Sequence, residues 1–504
     1  MAEETFQNNF FDTEYLKADL KGRSVRGGAV TMAAQGATFF LGMASTVVLA
    51  RLLTPQDFGL IAMVTAVTGF VMMFKDMGLS MATVQKAEVN HAQISTLFWI
   101  NVALSLGVML VTAALAPIIA WFYGEPRLTW ITLALASAFI FSGLTIQHQA
   151  LLNRNMRFGT LALIGIIGQL AGIVAAIIAA WYGADYWALV IGQLATAIAG
   201  AIAVWVACGW RPGLPVRRSG VRKMLAFGGN LTGFNFLNYF ARNADNLLIG
   251  KFWGSGPLGL YSKAYGLLML PIRQITAPIA AVAIPALSRL QDDHDKYKRY
   301  YYQAISTIAF ITMPLVAMLA ALSDEIIRIV LGGKWTGAAI IFKILAFAAV
   351  FQPVVSTAGW VYVSLGQAKR MMYWGLIDVP VTVLSFIIGL PWGPLGVATS
   401  YTVCGIFILM VPCLLFAFRY SPINLVGFFM TIWRPITISL IMYISLEFSR
   451  RYFAFSSSIE TVLYCSIAAL LVAILSLMLW PKARDEALDT LRIVKMLKSP
   501  KSTV

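Results

Sequence analysis

Residues 228–251 read GGNLTGFNFLNYFARNADNLLIGK and place four polar side chains in an otherwise apolar region of the chain. Asn235, Asn238, Arg242 and Asp245 follow one another at spacings of three, four and three residues, which puts them on one face of a helix. An arginine or aspartate costs about 2.5–3.5 kcal/mol to insert into hydrocarbon, so such residues face a bundle interior or a water-filled path. This segment therefore predicts a membrane helix that lines a polar cavity.

The composition of the whole chain indicates an all-α, polytopic membrane protein. Its 504 residues are 59% hydrophobic and 12% charged, with a mean hydropathy of +0.77, which is too apolar for an ordinary soluble protein. A bilayer core of roughly 30 Å needs about 20 apolar residues for each crossing helix. Runs of this kind predict about 14 spans, at residues 29–50, 58–82, 95–120, 128–148, 161–181, 187–208, 225–250, 258–285, 302–322, 337–364, 371–390, 395–418, 425–447 and 459–480.

The net charge of +16 is better explained by membrane orientation than by a nucleic-acid site. With both termini in the cytoplasm, about two thirds of the 38 Lys and Arg residues fall on the cytoplasmic side of the predicted spans. This distribution follows the positive-inside rule. We therefore expect no nucleic-acid partner and a chain with cytoplasmic N and C termini.

A weak internal repeat relates the two halves of the chain. At an offset of 200 residues, Arg51 aligns with Lys251 and Gly59 with Gly259, and each copy has an apolar helix, a short turn and a Gly-Leu pair. An even number of predicted spans separates the copies, so both cross the membrane in the same direction. The repeat predicts two pseudo-symmetric six-helix lobes followed by two extra C-terminal helices.

The basic segment 210–223 contains two prolines and two glycines and is predicted to link the lobes. The predicted organisation is a cytoplasmic tail (1–28), an N-lobe (29–209), the cytoplasmic linker (210–223), a C-lobe (224–418), helices 13 and 14 (419–480) and a basic cytoplasmic tail (481–504).

Neither the cysteines nor the short acidic motif predicts a metal site. The four cysteines lie singly in or beside apolar helices without CxxC spacing. The Asp-x-Asp at Asp293–Asp295 lies in a predicted short loop with no accompanying nucleotide-binding domain. We expect no metal, no disulfide and no cofactor.

Several motifs resemble a known family. ARLLTPQDFGL (50–60), KDMGLS (75–80), NYFARNADNLLIGKFWG (238–254), LGLYSKAYGLLMLP (258–271), IPALSRLQDD (284–293) and GGKW (332–335) occur in the order seen in Wzx-type polysaccharide exporters of the MOP flippase superfamily, in the colanic acid exporter-like branch. The resemblance covers about residues 22–420 and is most specific from Asn238 to Asp293.

The resemblance implies a V-shaped bundle of two lobes in the bacterial inner membrane. It also implies flipping of undecaprenyl-pyrophosphate-linked oligosaccharide repeat units by alternating access, for the biosynthesis of exopolysaccharide, capsule or lipopolysaccharide. Family members often couple to H+ or Na+, work beside polymerase and export machinery, surrounded by membrane lipids, and perform no covalent chemistry. The chain is accordingly expected not to be an enzyme.

A sugar-pyrophosphate headgroup needs cations for phosphate and amides or aromatic rings for hydroxyl groups. The predicted cavity residues are Asn235, Asn238, Tyr239, Arg242, Asn243, Asn246, Lys263, Arg273, Arg154 and Arg157. Two alternatives remain open: Arg242 and Asp245 can form a structural ion pair, and membrane topology alone can explain Arg154 and Arg157.

Asp378 is the main candidate for ion coupling, because it is an intramembrane carboxylate with no opposite charge nearby in sequence. Pairing with Lys75, Arg242, Arg273 or Lys343 is the alternative. Asp76 and Asp245 are weaker candidates for the same role. His148 is expected to be a satisfied interface histidine rather than a proton relay.

Three other functions remain as alternatives: a lipid II flippase, a multidrug antiporter and a membrane polymerase or ligase of polysaccharide chains. Drug antiporters of this superfamily typically have 12 spans. Polymerases usually need a large periplasmic loop, and the predicted outer loops are short.

Overall fold

The computed structural model describes residues 20–72, 79–86, 89–216, 239, 243–452 and 457–479. These residues are almost entirely helical, and none of them forms a strand. Ten of their helical segments are long and apolar enough to cross a membrane. The all-α, polytopic class is therefore confirmed, whereas the count of fourteen spans stays a prediction.

The chain divides into two compact units, Met1–Gly256 and Pro257–Val504. The described helices of the first unit are α1 (Leu20–Leu52), α2 (Pro55–Val71), α3 (Leu79–Gln85), α4 (His91–Tyr123), α5 (Arg127–Arg154), α6 (Phe158–Trp181), α7 (Tyr186–Cys208) and α8 (243–253).

Helix α9 (Ser255–Arg289) starts at the boundary and leads into the second unit. The helices that follow are α10 (His294–Ala321), α11 (Ser323–Val330), α12 (Gly337–Val355), α13 (Ala358–Ser364), α14 (Ala368–Gly389), α15 (Gly393–Val403), α16 (Met410–Phe418), α17 (Leu425–Tyr452) and α18 (Ser458–Leu479). Short 3-10 turns lie at Gly333–Trp335 and Leu390–Trp392, and a π-helical segment at Cys404–Leu409.

The boundary between the units falls after α8 and not in the predicted linker 210–223. Helix α8 groups with the first unit, in which Tyr239 contacts α2 and Lys251 of α8 contacts α4. The Tyr239 hydroxyl bonds to α2, and the Lys251 ammonium bonds to the carbonyl oxygen of Phe122 on α4. The six-plus-six division into lobes stays a prediction.

Both copies of the predicted repeat have the same local form: a helix, a connection of one or two residues and a second helix. The first copy joins α1 to α2, and the second joins α8 to α9. In the first copy, the side chains of Thr54 and Asp57 form a reciprocal capping box that fixes the start of α2.

Small residues allow α6 and α7 to pack with their backbones in contact. A Cβ on Gly172 would lie 2.6 Å from the carbonyl oxygen of Gly192 and 1.8 Å from the Thr196 hydroxyl oxygen. Gly168, Gly172 and Ala176 repeat at intervals of four, the small-residue spacing typical of close membrane helix pairs.

Predicted spans 371–390 and 395–418 form a tight helical hairpin in the second unit. A Cβ on Gly389 would lie 2.3 Å from the carbonyl oxygen of Gly396, and Gly393 has a φ of 71°, which favours glycine. The rings of Phe386 and Tyr401 lie 5.6 Å apart across the hairpin. These two spans are thus antiparallel neighbours.

The α6–α7 contact yields a test of packing. We expect Gly172→Ala to lower stability by about 1–3 kcal/mol, because the new methyl group overlaps a backbone carbonyl that cannot move alone. Gly165→Ala on the same helix is the matched control, since nothing lies within 4 Å of its Cβ position. Thermal unfolding in detergent measures both, and equal effects of the two variants would contradict the assigned contact.

Candidate functional site

Part of the predicted cavity wall lies outside the described residues. This applies to Asn235, Asn238 and Arg242 and, for ion coupling, to Asp76. Their roles stay predictions.

Tyr239 is anchored to α2. Its hydroxyl oxygen lies 3.0 Å from the carbonyl oxygen of Thr65 and 2.9 Å from that of Ala66, and its ring centroid lies 6.2 Å from that of Phe70. Gly69 leaves room for this contact, because a Cβ there would meet the tyrosine hydroxyl at 2.3 Å. The hydroxyl proton of Tyr239 is thus already engaged, and binding of a sugar by this group stays a prediction.

The polar residues at the start of α8 are held by short local bonds. The Asn243 side-chain amide donates to the carbonyl oxygen of Tyr239 at 2.9 Å, and the Asn246 backbone N–H donates to Asp245 Oδ1 at 2.7 Å. Asp245 is only 7% exposed. The side-chain oxygen of Asn246 is buried and accepts no hydrogen bond, which leaves one acceptor of the predicted polar face without a partner.

Arg273 lies near the middle of the 35-residue helix α9 and is exposed. The face around it is made of small and polar residues. The exposed positions of this helix are Gly266, Arg273, Gln274, Ala277, Ala281, Val282, Pro285 and Arg289. By contrast, α17 exposes Val426, Met430, Trp433, Leu440, Ile441, Ile444 and Phe448.

This contrast separates two kinds of exposed helix surface. Large apolar side chains suit hydrocarbon, whereas an exposed guanidinium halfway along a membrane helix needs water or an anion. The open face of α9 therefore has the composition of a polar path. Lys263, which lies earlier on the same helix, is half-buried.

Arg154 and Arg157 occupy different environments. Arg154 is 7% exposed, and its Nη1 donates to the carbonyl oxygens of Thr83, at 3.2 Å, and of Lys86. It therefore fastens α3 to the end of α5. Arg157 is exposed just before α6 and is the better placed of the two for an external anion.

Asp378 is half-buried on α14, within electrostatic range of the thiols of Cys404 and Cys413. Cys404 opens the π-helical segment, a local widening of the helix that is frequent at functional sites. Of its predicted partners, Lys343 forms an ion pair with Glu447 instead.

This ion pair belongs to a network that the sequence alone did not suggest. The Lys343 ammonium on α12 binds the carboxylate of Glu447 on α17, which also accepts from Tyr443 at 3.1 Å. Arg450, one turn further along α17, binds Glu325 on α11 at 2.9 Å. Glu447 and Lys343 lie about 100 residues apart in sequence, so no local spacing links them.

Together with a small apolar cluster, this network attaches α17 and α18 to α10–α12. The cluster contains Ala321, Leu322, Met442, Leu446, Cys465 and Ala469. The two helices predicted to lie outside the six-plus-six scheme are therefore integral to the second unit.

The expectation of a satisfied interface histidine at His148 is wrong. His148 is 0% exposed, and neither ring nitrogen makes a hydrogen bond of normal geometry. Its position near the end of a long apolar helix suggested an interface, but the packing of α4 and α7 covers it completely.

The described residues contain no cluster of three or more His, Cys, Asp or Glu side chains that could hold a metal ion.

Comparisons with known proteins give a consistent result. A family profile described as "Polysaccharide biosynthesis protein" matches residues 48–340. The lipopolysaccharide biosynthesis protein WzxC of Escherichia coli (strain K12) is 23% identical over 435 residues, covering 84% of this chain and 86% of the relative. The teichuronic acid biosynthesis protein TuaB of Bacillus subtilis (strain 168) is 26% identical over 443 residues, covering 84% and 88%.

Solved structures with this fold include the lipid II flippase MurJ in an inward closed conformation. It matches with a TM-score of 0.71 at 16% identity, covering 89% of this chain and 98% of that chain. An inward-facing multidrug resistance MATE family transporter of the MOP superfamily matches with a TM-score of 0.57 at 14% identity, covering 79% and 94%. At these identities the likeness concerns the fold.

The Lys343–Glu447 pair yields a second test. We expect Lys343→Met or Glu447→Leu alone to cost about 1–3 kcal/mol, because each leaves one charge without its partner in a low-dielectric setting. The double variant should cost less than the sum of the two single variants. Thermal unfolding of all three measures the coupling.

The control is the Arg127–Glu125 pair, whose arginine side chain is 48% exposed. Its removal should cost no more than about 1 kcal/mol, since water screens such pairs. If the two single effects of Lys343 and Glu447 simply add, the pair does not hold α17 to α12.

Proposed function

This chain belongs to the polysaccharide biosynthesis protein family, and we propose that it flips an undecaprenyl-pyrophosphate-linked oligosaccharide across the bacterial inner membrane. The resemblance to Wzx-type exporters and the MOP superfamily is confirmed by the relatives and by the fold. The chain is a multi-pass membrane protein. Its placement in the inner membrane with both termini cytoplasmic belongs to the proposal.

The observation that carries the proposal is the open face of α9 around Arg273. A guanidinium at that depth is stable only beside water or an anion, and its planar donors match the oxygens of a phosphate group. The small neighbours Ala277 and Ala281 leave room for a headgroup beside it. A lipid-linked pyrophosphate provides both the anion and a tail that stays in the membrane.

Arg242, Asn235 and Asn238 on the predicted polar helix are proposed headgroup contacts of the first unit, and Arg157 is the proposed first contact. Tyr239, Asn243 and Asn246 are further proposed contacts in the first unit and Lys263 in the second, and Arg154 supports the contact between α3 and α5. Alternating access would then move the headgroup from one leaflet to the other, with the polymerase and export machinery consuming it.

A transporter fits better than a polymerase or ligase. Successive helices between residues 243 and 452 are joined by connections of only a few residues, so this part of the chain holds no domain outside the membrane. The lipid II flippase and multidrug antiporter alternatives share the fold. The relatives WzxC and TuaB are named for lipopolysaccharide and teichuronic acid biosynthesis, which favours a saccharide-containing substrate.

We expect Arg273→Ala to reduce export by roughly ten- to a hundredfold, because a hydrogen-bonded charge pair contributes about 1.5–3 kcal/mol. Membrane levels should stay near normal, since the side chain is exposed. Arg273→Lys should rescue export only in part, because an ammonium cannot bind phosphate bidentately. Polysaccharide export in cells that depend on this chain provides the measurement.

Arg289→Ala is the matched control, because Arg289 is an exposed arginine at the end of the same helix. If both variants export equally well, Arg273 does not contact the substrate. The single variant Arg242→Ala tests the second cation in the same assay. The double variant Arg242→Ala, Asp245→Ala is measured with it. Restored export in the double variant would make that pair structural.

For ion coupling we propose Asp378, with Asp76 and Asp245 as secondary candidates and H+ or Na+ as the ion. Asp378→Asn should impair transport driven by an ion gradient more than substrate exchange without a gradient, because a coupling carboxylate changes occupancy in each cycle. Proteoliposomes containing a fluorescent lipid-linked saccharide allow both assays.

Asp292→Asn, in an exposed loop, is the control for that experiment. Equal losses in the driven and exchange assays would reduce Asp378 to a structural role.

A further inference from the structure

His148 on α5 is a fully buried imidazole with unusual surroundings. Its side chain is 0% exposed, and neither Nδ1 nor Nε2 makes a hydrogen bond of normal geometry, although backbone groups of Leu144 and Trp210 lie nearby. Leaving a buried polar atom without a partner costs about 1–3 kcal/mol. A histidine with two such atoms is a poor choice for a purely structural core position.

Three aromatic rings enclose this imidazole. Its centroid lies 4.5 Å from that of Trp205, 5.1 Å from that of Trp210 and 5.8 Å from that of Phe98. Aromatic faces stabilise a cation without neutralising it, by up to about 2 kcal/mol in a desolvated site. The aromatic cage therefore accommodates an imidazolium without a carboxylate counter-ion.

Polar contacts link Gln147, the residue before His148, to the end of α5. The neighbouring Gln147 is also 0% exposed, and its Oε1 accepts from the Thr83 hydroxyl at 2.9 Å, while its Nε2 has no partner. The carbonyl oxygen of Thr83 in turn accepts from Arg154 at 3.2 Å. Gln147 and Arg154 are thus both bound to Thr83.

Within the described part of the chain, the charged side chains around the cage are basic, and His91 and Cys208 are further titratable groups beside it. The Arg211 guanidinium lies 5.4 Å from the Trp205 ring centroid, and His91 Nδ1 accepts from Trp210 Nε1 at 3.2 Å. The remaining groups are on neighbouring elements: Lys86 after α3, Arg154 at the end of α5 and Arg157 before α6. Together, Lys86, Arg154, Arg157 and Arg211 form what we term the basic end of the first unit.

We propose that His148 takes up a proton when an anionic pyrophosphate headgroup binds at the basic end. The anion offsets the positive potential of the four basic residues, so a further positive charge in the cage becomes less unfavourable. The proton comes from water and adds to one ring nitrogen, and it leaves when the headgroup leaves. Proton and substrate then bind cooperatively, and by linkage each raises the affinity for the other.

This inference rests on the proposed function, because it requires a pyrophosphate lipid as the ligand. It differs from coupling at Asp378, since it places a proton in the first unit and links it to substrate binding. It also explains why an aromatic core position holds a histidine with two unbonded nitrogens.

The chain has only three histidines, which makes the proposal directly measurable. The full-length protein in phosphatidylcholine nanodiscs, labelled with ¹³Cε1-histidine, should give three resonances, assigned with His91→Asn, His148→Asn and His294→Asn variants. We expect the His148 resonance to move to the imidazolium position on addition of undecaprenyl pyrophosphate. A resonance that stays neutral from pH 5 to 9 with and without the bound probe would overturn the proposal.

Calorimetry in buffers of different ionisation enthalpy gives the second readout. Binding of undecaprenyl pyrophosphate to the wild type should take up protons, and its affinity should fall with rising pH by at most about tenfold per unit, the limit for one linked proton. His148→Asn and His148→Gln should bind without proton uptake. His294→Asn, at the exposed first residue of α10, should retain it.

Unchanged proton uptake in both His148 variants would also overturn the inference while leaving the proposed function intact. Failure of the wild type to bind undecaprenyl pyrophosphate would instead contradict the proposed substrate, and with it the linkage. Inorganic pyrophosphate serves as a second probe: uptake with it alone shows that the phosphate group, without the lipid, is sufficient.

Discussion

Hydrocarbon offers no hydrogen bonds, and this constraint governs the position of several charged and polar groups in the two units. Arg154 binds two backbone carbonyls, Tyr239 is bonded to α2, and Lys343 is paired with Glu447 on another helix. Each arrangement satisfies a group that lipid would leave without a partner. Exceptions are therefore informative, because an exposed or unbonded polar group in this setting needs water or a ligand.

Arg273 and His148 are two such exceptions of opposite kinds. Arg273 is exposed along a face of small residues, which suits a ligand that arrives from a polar path. His148 is sealed among aromatic rings, which suits a small ion such as a proton. The proposed function uses the first residue to bind an anion, and the further inference uses the second to link that binding to protonation.

Close packing by small residues provides the frame that holds these groups. Gly172 lets α6 approach the backbone of α7, and Gly389 and Gly396 close the α14–α15 hairpin. The ion pairs of Glu447 hold α17 in the second unit in the same way. The last two helices are therefore part of the packed second unit rather than a separate membrane anchor.

The sequence by itself determined the class of protein and the position of most helices, because the length of an apolar run is a local property that the bilayer thickness makes meaningful. Predicted spans such as 161–181, 187–208 and 371–390 match Phe158–Trp181, Tyr186–Cys208 and Ala368–Gly389 closely. The motif resemblance also pointed to polysaccharide biosynthesis proteins, the family to which the chain belongs. The sequence likewise predicted Arg273 to be an intramembrane cation, since a charge within an apolar run is visible without a structure.

Only the tertiary structure decided which polar groups meet. Glu447 and Lys343 lie on helices far apart in the chain, and the burial of His148 depends on Phe98 from α4 and Trp205 from α7. Packing likewise decided that α8 groups with the first unit and that Arg154 fastens two helices. Helical periodicity tells which residues share a face, but the neighbour of that face depends on the packing of the whole bundle.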